Sequence, residues 1–168
     1  MSRLAREGSV VVRDRIAPNS PMWRDCDLPW SASVTLEATA GVAGTGQIVV
    51  RGRMTGTLGQ ECRRCLKPTE TEIANELTMV FVTSDDPCAS EYGVHSYEAG
   101  KELDLSEAIR EEAVLAFDPY VLCTEDCRGL CTNCGANMNL ERCSCAADPA
   151  HPAWNNLKAQ LENTHGGT

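Results

Sequence analysis

Aromatic side chains make up only 5% of the 168 residues. The interior therefore has to be built from Val, Leu, Ile, Met and Ala, and such a core gains from a bound metal. No apolar run approaches the roughly 20 residues that span a bilayer. Met1-Ser2-Arg3-Leu4-Ala5-Arg6-Glu7 lacks the apolar stretch of a secretory signal. These absences lead to the expectation of a cytoplasmic chain with no membrane partner. Histidine is scarce too: His95, His151 and His165 stand without a motif around them and are expected to be solvated. No Gly-x4-Gly-Lys-Ser/Thr or Gly-x-Ser-x-Gly occurs, and Gly41, Gly44 and Gly46 lack the strand-then-helix setting of a phosphate loop. The expectation is a protein that is not an enzyme and takes no small-molecule substrate.

What the chain has in abundance is cysteine, ten in all. Six fall between Cys123 and Cys145 as Cys-x3-Cys-x3-Cys-x2-Cys-x8-Cys-x-Cys, and Cys62-Arg63-Arg64-Cys65 lies upstream. Thiolates at this spacing on a tight turn converge on one soft cation, and four of them close a tetrahedral zinc site. In a reducing compartment ligation is favoured over disulfides. The economical pairing puts Cys131, Cys134, Cys143 and Cys145 around one ion, with Asn137-Met138-Asn139 in the returning loop. Cys62, Cys65, Cys123 and Cys127 would then form a second site. Cys-x3-Cys is less diagnostic than Cys-x2-Cys and swapped pairings also count to four, so one or two structural Zn2+ ions are expected. A closed shell leaves no position for water, which points to architecture rather than metal hydrolysis. Cys26 and Cys88 lie outside the clusters and read as ordinary small residues.

The rest of the sequence reads as α+β: an antiparallel β-sheet or partial barrel with a packed helix, followed by a C-terminal zinc-stapled cysteine module. The division expected is residues 1–118 as the β-rich part with one helix and 119–168 as the cysteine-rich module with a short terminal helix. Ser9-Val10-Val11-Val12 is β-like before Pro18 and Pro21 break it. From Ser33 the period is 2, with Val34, Leu36 and Ala38 on one face, and Gly41, Gly44 and Gly46 make a turn. Ile48, Val50, Gly52, Met54, Gly56 and Leu58 alternate with polar residues. Ile73, Leu77, Met79 and Phe81 mark the partner strand, which places Cys62 and Cys65 at the tip of a long hairpin. Residues 84–101 lack periodicity and are expected to form an exposed loop. Asp104 with Glu107 three residues on reads as the N-cap of a helix. Its stripe is Leu105, Ala108, Ile109, Ala113 and Ala116, with Glu111 and Glu112 on the wet side and Pro119 as the stop. Trp154 to Leu161 is a short amphipathic helix after Pro152.

The net charge of −9 is unevenly spread. Residues 1–69 hold ten Lys or Arg and six Asp or Glu, a net +4, while residues 70–168 hold five and eighteen, a net −13. Arg51, Arg53, Arg63, Arg64 and Lys67 fall within 17 residues that contain one acid, Glu61. Guanidinium forks on one strand face and on the cysteine turn are suited to phosphates, so these five are the candidate nucleic-acid-binding residues. Solvated arginines offsetting nearby acids would have the same composition.

Cys62-Arg63-Arg64-Cys65-Leu66, Leu103-Asp104-Leu105-Ser106-Glu107, the run from Leu122 through Cys127-Arg128-Gly129-Leu130-Cys131 to Asn139, and Cys143-Ser144-Cys145 together resemble the YceD family. The likeness covers about residues 45–161. It implies an α+β fold and a non-enzymatic role in large-subunit ribosomal RNA synthesis or accumulation, with the shared Cys-x-Arg-Cys motif at Cys62, Arg64 and Cys65. His151-Pro152-Ala153 stands where relatives carry Asp-Pro-Arg. The leading expectation is a ribosome-biogenesis factor that binds ribosomal RNA or a pre-ribosomal particle of the large subunit through the basic knuckle. One alternative is an adaptor whose acidic half, around Glu98 to Asp126, docks a basic ribosomal protein. Another is a zinc or thiol redox switch, which the lack of a helix start directly after Cys62 disfavours.

Overall fold

The structure, a computed structural model, describes residues 2–44, 46–145 and 154. Strands β1 (Ser9–Ile16), β2 (Val34–Ala43), β3 (Gln47–Glu61), β4 (Pro68–Thr83) and β5 (Val94–Tyr97) lie side by side in chain order. The first four are antiparallel and β5 runs parallel to β4. Helices α1 (Ser2–Glu7) and α2 (Ser106–Ala116) complete the described elements with two single 3-10 turns, Pro21–Trp23 and Pro87–Ser90. The α+β sheet with a packed helix is as expected. No ladder joins β1 to β5 among the described residues, so the sheet is not a closed barrel.

Alternation builds the core. Val34, Leu36, Ala38 and Ala40 of β2, Ile48, Val50, Met54 and Leu58 of β3, and Ile73, Leu77, Met79 and Phe81 of β4 are all buried in one cluster. α2 lays Ala108, Ile109 and Ala113 on the same cluster, with Leu105 and Ala116 packed at its margin. Each fully buried large aliphatic stabilises the fold by about 1.5–3 kcal/mol before chain entropy is counted. Trp23 and Trp30, centroids 5.3 Å apart, close one end of the cluster. Gly56 makes room for this pair, since a Cβ there would lie 2.6 Å from the Trp30 ring.

The other face of the sheet carries a charge ladder. Arg13 stands opposite Glu37, Glu37 opposite Arg53, and Arg53 opposite Glu76. The end pairs close at 3.7 Å for Arg13–Glu37 and 2.7 Å for Arg53–Glu76. Alternating signs across four strands favour this register, though each exposed pair adds only a few tenths of a kcal/mol.

Several expectations change. The first strand is twice as long as the Val-rich run implied, because Arg13, Asp14 and Arg15 continue its pairing with Glu37, Leu36 and Thr35. Gly41 sits in β2 opposite Val49, and the glycines that take positive φ there are Gly44 and Gly46, outside the two strands. Residues 84–101 are not one exposed loop. They contain the Pro87–Ser90 turn and β5, whose four residues are too few to show a period. His95, on β5, is enclosed rather than solvated, with its ring 5.1 Å from that of Phe81 and a side chain 17% exposed. Helix α2 begins at Ser106, not after Asp104. The Asp104 carboxylate instead accepts the Ser106 amide at 2.9 Å in a local turn, and Leu105 holds the cap position without a side-chain bond. The helix stops at Ala116, ahead of Pro119, where Phe117 turns extended. The expected terminal helix, apart from Trp154, and His151 and His165 lie outside the described residues. Among the described residues no helix is long and apolar enough to cross a membrane.

Candidate metal centres

The tip of the β3–β4 hairpin is a tight turn closed by two backbone bonds. The Leu66 amide donates to the Cys62 carbonyl at 2.9 Å, and the Cys62 amide donates to the Lys67 carbonyl at 2.9 Å. The same two bonds recur at the same offsets around Cys131: Gly135 to Cys131 at 2.9 Å and Cys131 to Ala136 at 2.8 Å. Both Cys-x2-Cys segments therefore fold as one knuckle geometry, which requires a left-handed residue after the second cysteine. Gly135 takes it at φ 72°, and Leu66 takes it at φ 59°. For a side-chain-bearing residue that conformation costs about 1–2 kcal/mol.

These knuckles gather two cysteine tetrads. Cys62, Cys65, Cys123 and Cys127 form one, and Cys131, Cys134, Cys143 and Cys145 the other, with sulfurs in each within 4.8 Å of one another. This is the pairing expected from economy. The shortest separations are 3.6 Å for Cys62–Cys127, 3.5 Å for Cys65–Cys123 and 3.4 Å for Cys131–Cys143. Sulfurs about 2.3 Å from a tetrahedral zinc lie about 3.8 Å apart. A disulfide would bring them to about 2.05 Å, and all ten cysteines are unbridged. The spacing fits four thiolates around one ion. The first tetrad is largely buried, with Cys62, Cys65 and Cys127 packed by Leu122 and Leu130, whereas Cys134 of the second is exposed.

The local field prepares the sulfurs for ligation, because amide hydrogen bonds favour thiolate. Burial works to raise the Cys62 thiol, but the amides of Cys123, Cys65 and Arg64 point at its sulfur and bring it down to about 6. At Cys131 the amides of Cys134 and Asn133 do the same, again to about 6. The donors stand two and three residues after the sulfur in both knuckles. Four neighbouring sulfurs ionise together only where a cation shares their charge. Cys65 ends near 12 although the Lys67 amide favours its thiolate, because burial and the adjacent thiols oppose it. Cys145 is likewise driven to about 12, chiefly by Cys134 and by burial.

A second set of contacts staples the two tetrads together. The Arg64 guanidinium donates to the Cys127 carbonyl at 2.8 Å, while the Arg64 carbonyl accepts the Leu130 amide at 3.1 Å. Gly129, at φ 74°, passes so close that a Cβ would sit 3.1 Å from the Arg64 carbonyl oxygen. The Arg63 amide donates to Val121 at 2.9 Å. Asn139 completes the joint: its amide group donates to the Cys127 sulfur at 3.4 Å, and its carbonyl oxygen accepts the Arg128 amide at 2.7 Å. Asn139 was visible in sequence only as part of the returning loop.

The five basic candidates do not share one surface. Arg51 and Arg53 lie opposite Thr78 and Glu76, whereas Glu61, the last residue of β3, lies opposite Pro68. At about 3.3 Å per residue the arginines are roughly 30 Å from the knuckle, and Arg53 is held in the charge ladder. Arg64 faces the joint. Arg63 lies over the exposed Tyr120 ring, 5.6 Å from its centroid, and Lys67 is exposed. Arg128 joins them, being exposed and adjacent to Cys127 of the same tetrad. Its position beside a tetrad cysteine in Cys127-Arg128-Gly129 was the signal that could have found it. Cys26 and Cys88 take no part in either tetrad. Burial raises the first, and the hydrogen bond and charge of Glu91 raise the second.

Residues 50–160 match the family described as large ribosomal RNA subunit accumulation protein YceD. The chain is 33% identical over 69 residues to the Arabidopsis thaliana large ribosomal RNA subunit accumulation protein YCED homolog 1, chloroplastic, covering 39% of this chain and 22% of that protein. It is 40% identical over 53 residues to the Zea mays protein of the same name, covering 31% and 18%. An uncharacterised Mycobacterium tuberculosis protein is 27% identical over 124 residues, 68% of this chain and 56% of its own. The chain thus spans between about a fifth and somewhat over half of the length of these relatives. No solved structure matches.

Proposed function

The chain belongs to the YceD family, and we propose that it supports large-subunit ribosomal RNA accumulation by binding that RNA or a pre-ribosomal particle, without catalysing a reaction. In this reading each tetrad holds one Zn2+, with Cys62, Cys65, Cys123 and Cys127 as one thiolate set and Cys131, Cys134, Cys143 and Cys145 as the other. A filled thiolate shell supplies a cross-link and no reactive position. The observation that carries the reading is that the first tetrad draws its sulfurs from both the hairpin tip and the segment after α2. Arg63, Lys67 and Arg128, each within two residues of a ligand of that tetrad, are thereby held on one knob. Cations fixed in this way lose little entropy on meeting phosphates.

The test is Arg63→Glu with Lys67→Glu, leaving the structural Arg64 in place. The double variant is expected to keep two zinc ions per chain, to weaken binding to large-subunit ribosomal RNA fragments with a shallower salt dependence, and to deplete large subunits in growing cells. Unchanged RNA binding together with an unchanged subunit profile refutes the proposal, and one zinc or fewer per parent chain refutes the two-site form of it.

A further inference from the structure

A groove of about 790 Å3 opens between α2, β5 and the Pro87–Ser90 turn, away from both tetrads. Its lining is mixed, with Phe81 of β4, Val94 of β5 and Ala108 of α2 among the apolar residues. At its margin Val114, Leu115 and Tyr92 are 47%, 72% and 98% exposed. Large apolar side chains left bare around a concavity mark an interaction site more often than a passive surface.

The charge of the groove selects the kind of occupant. Asp25, Glu91, Asp104, Glu107, Glu111 and Glu112 line it against one guanidinium, Arg110, which is already 3.6 Å from Asp25. His95 lies 3.9 Å from Glu111, and Glu107 has no ion-pair partner among the described residues. A polyanion would be repelled here, and the apolar part of the lining does not suit a bare cation. The floor adds a third feature. Thr78 and Met79 line the groove, but β5 begins its pairing with β4 only at Val80. Just ahead of that point the β4 edge has no strand partner on the β5 side among the described residues, which leaves main-chain groups for an extended segment.

We infer that this groove seats a Lys- and Arg-rich segment of a partner protein, anchored by an apolar side chain against Val114 and Leu115. This goes beyond the RNA contact proposed above and does not rest on it, since none of Arg63, Lys67, Arg128 or the cysteines of the tetrads lines the groove. Such a chain is two-sided, with a cationic knob at the cysteine-rich end and an acidic, partly apolar groove at α2. That arrangement suits a factor that brings a basic protein to an RNA it also contacts.

The experiment uses the full chain and a fluorescent peptide of alternating lysine, arginine and leucine, followed by anisotropy. Glu107→Gln with Glu111→Gln is expected to weaken binding roughly fivefold, the scale of two partly exposed ion pairs. Leu115→Ser is expected to weaken it at constant charge. Glu70→Gln with Glu72→Gln removes the same charge from the hairpin, outside the groove, and is expected to leave binding unchanged. The inference is overturned if the hairpin variant weakens binding as much as the α2 variant, or if Leu115→Ser has no effect. Arg63→Glu with Lys67→Glu is expected to leave peptide binding intact, so that failure here and failure of the RNA reading are separate results.

Discussion

Replacing Gly129 with alanine is expected to loosen the first tetrad, and replacing Gly135 with alanine provides the matched control. Both glycines are left-handed, at φ 74° and 72°, so each substitution carries a conformational cost of about 1 kcal/mol. The surroundings differ. A Cβ on Gly135 meets nothing within 4 Å, whereas one on Gly129 meets the Arg64 carbonyl oxygen at 3.1 Å and the Arg64 Cβ at 3.4 Å. That carbonyl cannot retreat freely, because it already accepts the Leu130 amide. Losing that bond adds about 0.5–1.5 kcal/mol. The expected destabilisation is about 1.5–2.5 kcal/mol for Gly129→Ala against about 1 kcal/mol for Gly135→Ala. The Gly129 amide also points at the Cys127 sulfur and favours its thiolate. The loss should therefore show at the metal. Competition of zinc-loaded protein against a chromophoric chelator resolves it: Gly129→Ala weakens the first tetrad by roughly thirtyfold, and Gly135→Ala weakens the second by roughly fivefold. If the two variants lose the same free energy, the Gly129–Arg64 contact is not what joins the hairpin tip to the later segment.

Arg64→Ala removes a charge-assisted bond to the Cys127 carbonyl, and Arg64→Leu removes the same bond while keeping an apolar stem. Each is expected to weaken zinc at the first tetrad by about tenfold, the effect of about 1.4 kcal/mol. RNA affinity per folded, metal-loaded chain is expected to stay as it was, and loss of RNA binding with metal retained would place Arg64 at the RNA instead. In metal-free protein Cys131, at about 6 against an ordinary 9.0, is thiolate at neutral pH and is expected to alkylate quickly with iodoacetamide. Cys26 and Cys88, both raised, stay slow. The folded chain binds the Cys131 proton less tightly than the unfolded chain does, so this group contributes stability above about pH 9 that is lost as pH falls through about 6. Peptide mapping of the alkylated protein between pH 5 and 8 checks the order, and uniform labelling would contradict it.

The parts of the fold that were legible in sequence are those in which local pattern and tertiary packing agree. Ile48, Val50, Met54 and Leu58 alternate in sequence and are buried in fact, and the stripe Ala108, Ile109, Ala113 meets them. Both tetrads were readable because two Cys-x2-Cys turns leave few economical pairings. What sequence did not show depends on distant partners. Val94-His95-Ser96-Tyr97 becomes a strand only because β4 offers an edge to pair with, and four residues carry no period. Arg51, Arg53, Arg63, Arg64 and Lys67 are close in sequence, but a strand carries its residues apart at about 3.3 Å each, so closeness along the chain became distance in space. Arg64 looked like its neighbour Arg63. Only the return of Cys127 to the hairpin tip ties one guanidinium to a carbonyl and leaves the other over Tyr120.

The contrast between Leu66 and Gly135 separates stability from recognition. Both hold the same place in the same knuckle, yet one carries a side chain at φ 59° and is 56% exposed. Changing Leu66 to glycine would relieve about 1–2 kcal/mol of backbone strain. It would also add about 0.5–1 kcal/mol of unfolded-chain entropy and expose the covered part of the leucine, about 1 kcal/mol. The terms nearly cancel, so folding gives little reason for either residue. The leucine stands between Cys65 and Lys67, on the knob that bears Arg63. In the RNA-binding reading proposed above, an apolar side chain held there would pack against a base between the cations Arg63 and Lys67. Leu66→Gly is therefore expected to leave the unfolding free energy of the zinc-loaded chain within about 1 kcal/mol of the parent while weakening binding to single-stranded large-subunit RNA fragments. A gain of stability with RNA binding unchanged would show that the leucine is only strain, and would take the knuckle tip out of the contact surface.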